Sequence, residues 1–173
     1  MSADASRALK VITGSSRFGT TAETSTVAQA ATVLVEALPG PTVGREDICR
    51  ILTPIGTPDF QLRITWSLED GAPTGTPAPN FTALKMGERA VAAADKARVY
   101  FACRSDRLSN SMTVAHIMIG VERWMIPTEP EGDVEALKDA YATVAHSVSL
   151  AMAKELRCEK NGGLPAKPVL DPA

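Results

Sequence analysis

The feature that most constrains the fold is an alternation of apolar and polar side chains at residues 60–69. Because successive side chains of a β-strand point to opposite faces of the sheet, this period of two predicts one dry face and one wet face. Such a strand is typical of an antiparallel sheet that is covered on one side only. Trp66 lies on the apolar side of the alternation, and we predict that it is buried beneath the covering layer.

A second pattern predicts the element that covers the sheet. Apolar residues recur at every third or fourth position between residues 134 and 156, which places them along one face of a long α-helix. Asp133 is a suitable N-cap, because its carboxylate accepts hydrogen bonds from the free amides of the first turn. Residues 24–38 show the same periodicity and predict a second core helix.

Shorter apolar runs predict the remaining elements. Further strands are expected at residues 98–103 and 113–122, a weaker strand at 81–89, a short apolar segment at 47–54 and an edge strand at 9–12. The predicted fold class is α+β in two layers, with an antiparallel β-meander of four to five strands and helices packed on one face. Residues 1–160 are expected to form a single globular domain, followed by an extended or disordered tail at 161–173.

Charge and composition exclude several classes of partner. The formal net charge is −2 and the basic residues are not clustered, so no electrostatic footprint for nucleic acid is present. Aromatic residues make up only 5% of the chain, which also argues against a base-stacking surface. No apolar run is long enough to span a bilayer, and we expect membrane contact only through an anchor that is absent from this chain.

Candidate chemistry is sparse. The loop at residues 14–19 is rich in glycine and serine but lacks the lysine of a phosphate-binding loop. His146 lies close to Ser147 and Ser149, but the helical periodicity places it opposite the apolar stripe, so we expect an exposed histidine and not a catalytic one. We therefore predict no catalytic, cofactor-binding or metal-binding residue and no cofactor.

A thiol enzyme is the alternative that the sequence leaves open. Either Cys49 or Cys103 is a possible nucleophile, and His116 is a possible base that the fold could bring close. The chain has only three cysteines, without a closely spaced pair, so a zinc site is not expected.

Several segments resemble a known group of proteins. Residues 132–147, 151–159 and 161–165, together with the sequences around Cys49 and Cys103, resemble an uncharacterised family of actinomycete (Streptomyces-type) membrane-anchored or secreted small domains. The resemblance covers most of the chain but not the N-terminal anchor of that family. It implies an extracytoplasmic location and implies no activity.

The topology predicts one disulfide. If residues 98–103 and 113–122 form a hairpin, a following helix of about 38 Å runs back along a strand of about 33 Å and brings Cys158 close to Cys103. We therefore predict a Cys103–Cys158 bridge, with Cys49 free or bonded elsewhere.

These observations favour a non-enzymatic extracytoplasmic domain that binds a protein, an envelope component or a small molecule. The thiol enzyme and a structural accessory subunit of an envelope assembly are the two alternatives. A concave apolar pocket of about 300 Å³ or more would favour the small-molecule binder.

Overall fold

The computed structural model describes residues 2–20, 26–38, 43–53, 61–108, 114–124 and 130–173. The described chain contains three α-helices, α1 (Ala3–Thr13), α2 (Val27–Ala37) and α3 (Val134–Glu155). One sheet contains seven strands, which are β1 (Gly19–Thr20), β2 (Val43–Leu52), β3 (Gln61–Glu69), β4 (Thr82–Leu84), β5 (Arg89–Ala93), β6 (Lys96–Cys103) and β7 (Ala115–Trp124).

The predicted α+β class is confirmed, but the sheet is larger than predicted. The described sheet has six strands of three or more residues and the two-residue β1, whereas four to five strands were expected. The difference arises partly at residues 81–89, where one predicted strand is divided into β4 and the start of β5 by a turn. Phe60 and residues 24–25, which belong to the predicted strand and helix, lie outside the described residues.

The sheet consists of two meanders joined at their centre. Its strand order is β1-β2-β3-β7-β6-β5-β4, and every neighbouring pair is antiparallel. The chain therefore passes from β3 to the far edge before it returns strand by strand to β7. This return places β7 between β3 and β6, so that the last strand lies in the middle of the sheet.

The helices form the layer that covers one face of the sheet. α3 contacts β5, β6 and β7, α1 packs on α3, and α2 contacts α3 and β2. Asp133 caps α3 as predicted, since its Oδ1 accepts from the Ala136 amide at 2.7 Å. Trp66 is 1% exposed, which confirms its predicted position, and it belongs to the core together with Phe101 and Tyr141.

The predicted edge strand at residues 9–12 is wrong, because these residues belong to α1. Ser2 caps this helix by accepting from the Ala5 amide at 3.1 Å. Ala5, Ala8, Leu9 and Ile12 form a buried stripe with the three-to-four spacing of a helix. A window of four residues, three of them apolar, was too short to separate this period from that of a strand.

The face of the sheet opposite the helices is not uniformly wet. Thr65 and Ser67 lie on it, yet they are only 1% and 3% exposed. The connection at residues 70–81 contacts this face, where Arg89 Nη1 donates to the Pro73 carbonyl oxygen at 2.9 Å. The strict alternation of residues 60–69 therefore separates apolar from polar side chains, but it does not separate buried from exposed ones.

The segment after residue 160 is attached to the domain. Leu164 is buried, and Pro172 forms a bridge with Leu84 beside the edge strand β4. The Ala173 amide donates to the Ala83 carbonyl oxygen at 2.9 Å. This segment was expected to be an extended or disordered tail. It is extended in part, and it packs on the domain because Leu164 and the backbone of β4 hold it in place.

Candidate functional site

The predicted disulfide between Cys103 and Cys158 is present. Cys103 is the last residue of β6, and Cys158 follows the end of α3. Their Cα atoms are 4.9 Å apart and both residues are buried. The bridge therefore fixes the chain that follows α3 against the end of β6.

A run of left-handed residues follows the bridge. Lys160, Asn161, Gly162 and Gly163 have φ values of 49°, 53°, 67° and 74°, and we name residues 160–163 the left-handed turn. Such conformations are unfavourable for residues that carry a Cβ atom, so two consecutive non-glycine examples require support from their surroundings. Part of this support comes from the Glu159 amide, which precedes the turn and donates to the Arg104 carbonyl oxygen at 2.9 Å.

Gly162 is in close contact with β6. A Cβ atom at this position would lie 2.7 Å from Phe101 Cδ2 and 3.0 Å from the Ala102 carbonyl oxygen. Glycine is therefore required by the close approach as well as by the positive φ. The left-handed turn lies directly against the backbone of the strand.

A second tight turn faces the same end of the sheet. Gly87 has a φ of +60°, and a Cβ atom there would lie 2.4 Å from the Tyr100 carbonyl oxygen. The next residue, Glu88, donates its amide to that same carbonyl oxygen at 2.8 Å. Its carboxylate Oε2 lies 2.8 Å from His116 Nδ1, and His116 pairs with Ala102 across the strands.

These two turns border an open cleft of about 430 Å³, which lies where β6 ends and β7 begins. We call it the disulfide-end cleft, and it is lined by Gly87, Glu88, Ala102, Arg104, Val114, Glu159, Lys160, Gly162 and Gly163. Its lining thus combines small or apolar residues with two carboxylates and two cations. The lining is more polar than that of most small-molecule pockets, which are mainly hydrophobic, but it shares with them a few polar groups that converge on one cavity.

Most of the charges in the disulfide-end cleft are not neutralised by the protein. Glu88 contacts His116. By contrast, the side chains of Arg104, Glu159 and Lys160 are exposed and form no ion pair or hydrogen bond with the described part of the chain. These three groups are therefore available to a bound molecule.

The structure does not bring together the residues of the thiol-enzyme alternative. Cys103 is in the disulfide, which leaves Cys49 as the free cysteine. Cys49 on β2 lies opposite Ile64 on β3, and Ile64 lies opposite Val121 on β7. Val121 is five positions, or about 16 Å, along β7 from His116. Burial, and then the nearby Asp47 carboxylate, raise the pKa of the Cys49 thiol to about 11, so it is protonated at neutral pH.

The predicted exposure of His146 is wrong, because the side chain is 3% exposed. The C-terminal segment covers this side of α3, and His146 Nε2 lies 2.8 Å from the Pro165 carbonyl oxygen. A carbonyl oxygen only accepts, so Nε2 carries the hydrogen in this contact. Burial lowers the pKa of His146 and the Pro165 hydrogen bond partly opposes this effect.

The two serines near His146 have other partners. Ser149 Oγ donates to the Ala145 carbonyl oxygen at 2.8 Å, and Ser147 Oγ lies 3.3 Å from Ser2 Oγ. Neither hydroxyl is paired with the imidazole, so the geometry contains no serine–histidine dyad at this point.

A second depression lies between α1, α3 and the C-terminal segment. It has a volume of about 390 Å³, and its lining includes Ala8, Val11, Ala140 and Leu170. Two of its three charged residues, Asp4 and Arg7, form an ion pair with each other, and the third is Asp139. We call it the helical groove, and its mostly apolar lining presents fewer free charges to a polar ligand.

Comparisons with protein-family models, with curated proteins and with solved structures found no match to this chain. Among the described residues, no group of three or more His, Cys, Asp or Glu side chains is arranged to hold a metal ion. None of the described helices is long and apolar enough to cross a membrane.

Proposed function

We propose that this chain is a non-enzymatic extracytoplasmic domain that binds a small molecule in the disulfide-end cleft. The observation that carries the proposal is the cleft itself, whose volume of about 430 Å³ lies within the usual range for small-molecule sites. Its walls are held by the Cys103–Cys158 bridge and by the close contacts of Gly87 and Gly162. A site with fixed walls loses little conformational freedom when a ligand binds.

The disulfide supports the extracytoplasmic part of the proposal. Disulfides persist in oxidising compartments and are rare in reducing cytosol. The resemblance to secreted or membrane-anchored actinomycete domains points to the same location. Both arguments concern the compartment and not the ligand.

The thiol-enzyme alternative has less support. A cysteine nucleophile needs a lowered pKa, and the Cys49 thiol has a raised one. The structural accessory subunit remains the competing explanation, since a subunit that serves only to hold others together needs no small-molecule site.

A ligand screen tests the proposed function. We would screen polar metabolites and cell-wall fragments by thermal shift and map the hits from changes in the backbone amide resonances of the protein. Hits are expected to perturb Gly87 and Gly162, which line the disulfide-end cleft.

Matched variants decide whether the cleft is the site. Ala102→Leu adds three carbon atoms at the lining of the cleft and is expected to abolish binding, whereas Ala28→Leu makes the same change on the exposed surface of α2 and is expected to leave binding intact. Hits that map to the helical groove would contradict the choice of site, and a screen with no hits would contradict the proposal and favour the structural subunit.

A further inference from the structure

The free charges of the disulfide-end cleft identify the chemical class of its ligand, provided that the cleft is the binding site proposed above. Arg104 and Lys160 are cations without a described partner, and Glu159 is an anion without one. Opposite charges therefore line one cavity without neutralising each other in ion pairs. A ligand that carries both charges can satisfy both sets of groups at once.

Ligands of a single charge are matched less well. A purely anionic ligand would contact Arg104 and Lys160 but would also be repelled by Glu88 and Glu159. A purely cationic ligand would contact Glu88 and Glu159 but would be repelled by Arg104 and Lys160. The two cations and the two carboxylates of the lining sum to zero, so the cleft has no overall preference for a polyanion or a polycation.

We propose that the disulfide-end cleft binds a zwitterionic small molecule, such as a short peptide with free ends. Its carboxylate contacts Arg104 and Lys160, and its ammonium group contacts Glu159. The small or apolar residues Ala102, Val114 and Gly162 leave room for the uncharged part of the ligand between the charged groups. Glu88 is held by His116, which makes Glu159 the more available acceptor for the ammonium group.

A set of related peptides tests the ligand class. Trialanine carries both charges, N-acetyl-trialanine keeps only the carboxylate, and trialaninamide keeps only the ammonium group. Because hydrogen bonds to charged groups contribute to affinity, each single-charge peptide is expected to bind about tenfold more weakly than trialanine. O-phosphoethanolamine is a further zwitterionic probe, since it carries an ammonium group and a phosphate. Its binding relative to trialanine distinguishes a lipid-headgroup-like ligand from a peptide. Titrations would be followed through the amide resonances of Gly87, Gly162 and Gly163.

Charge variants assign the two ends of the peptide. Arg104→Gln is expected to weaken the binding of trialanine about tenfold and not to weaken the binding of trialaninamide, because only trialanine has the carboxylate. Glu159→Gln is expected to weaken the binding of trialanine and not to weaken the binding of N-acetyl-trialanine, which has no ammonium group. Arg17→Gln and Glu36→Gln remove exposed charges outside the cleft and are the matched controls.

The possible outcomes separate this inference from the function on which it rests. If a single-charge peptide binds as tightly as trialanine, or if neither zwitterionic probe perturbs the cleft, the zwitterion assignment is overturned. If another compound of the screen binds and Ala102→Leu blocks it, the proposed function stands without that assignment. If no compound binds at the cleft, both proposals fail together.

Discussion

Two glycines determine how closely the turns approach the strand beneath the disulfide-end cleft. Gly87 and Gly162 combine a positive φ with contacts that leave no room for a Cβ atom. The neighbouring Gly163 also has a positive φ, but a Cβ atom there would meet nothing within 4 Å. At the residue scale, the cleft therefore depends on packing at Gly162 and only on backbone conformation at Gly163.

The contrast between these two glycines gives a prediction. Gly163→Ala is expected to destabilise the protein by about 1–2 kcal/mol, which is the usual cost of a left-handed alanine. Gly162→Ala is expected to cost at least about 1 kcal/mol more, because its methyl group would overlap Phe101. Urea unfolding of both variants measures the difference, and equal costs would show that the left-handed turn moves freely away from β6.

Trp66 gives a second prediction at this scale. Truncation to alanine is expected to cost about 3–5 kcal/mol, because the side chain fills the core between the sheet and the helices. Trp124→Ala is the matched control, since this ring is 38% exposed and its contact with Arg63 is worth about 1 kcal/mol at an exposed site. Denaturant unfolding that gave both variants the same loss would contradict the assignment of faces.

At the element scale, α3 is buried on more than one side. The sheet covers one side and α1 packs against another, while His146 Nε2 donates to the Pro165 carbonyl oxygen of the C-terminal segment. This arrangement explains why a helical stripe of apolar residues alone did not predict the burial of His146. The tail that covers it was expected to be extended or disordered, whereas Leu164, Val169 and Leu170 pack against the core and the Pro165 carbonyl group contacts His146.

The buried His146 predicts a dependence of stability on pH. Its pKa is lowered in the folded state, so the unfolded chain takes up a proton near the ordinary value of 6.5 while the folded chain does not. The unfolded state then binds more protons, and the free energy of unfolding falls as the pH drops below about 6.5, by at most about 1.4 kcal/mol per pH unit.

Urea titrations at several pH values between 7.5 and 5.5 would measure this slope. His146→Gln is expected to flatten the slope, and His116→Gln, at the other histidine of the chain, is expected to retain the contribution from His146. An unchanged slope in His146→Gln would mean that His146 is not the titrating group.

The long patterns of the sequence were sufficient to predict α3, β3 and the position of Trp66. The short ones were not, because residues 9–12, three of which are apolar, fit a strand as well as a helix. The disulfide-end cleft gave no sequence signal of its own, since its residues come from segments far apart in the chain. The Asn161-Gly162-Gly163 sequence is typical of the left-handed stop after a helix, and such a stop does not indicate the wall of a cavity.

At the scale of the whole molecule, the disulfide joins the helical layer to the sheet. Cys158 lies just after the end of α3 and Cys103 at the end of β6, with a sequence separation of 55. The chain enclosed by the bridge includes β7, the strand at the centre of the sheet. The same bridge precedes the left-handed turn, so global stability and the geometry of the disulfide-end cleft depend on one covalent bond.

The last prediction concerns the loss of this bond. For a separation of 55 residues, the chain-entropy relation gives a loss of about 4 kcal/mol for the Cys103→Ser/Cys158→Ser variant. Cys49→Ser is the matched control, because Cys49 is a free and half-buried thiol whose replacement breaks no covalent bond. Ligand binding in the cleft is expected to weaken in the double variant even below its unfolding temperature, since the left-handed turn would no longer be fixed to β6. Non-reducing peptide mapping of the protein from its native host completes the test. A linked Cys103–Cys158 pair is expected there, and three free thiols would overturn the proposed extracytoplasmic location.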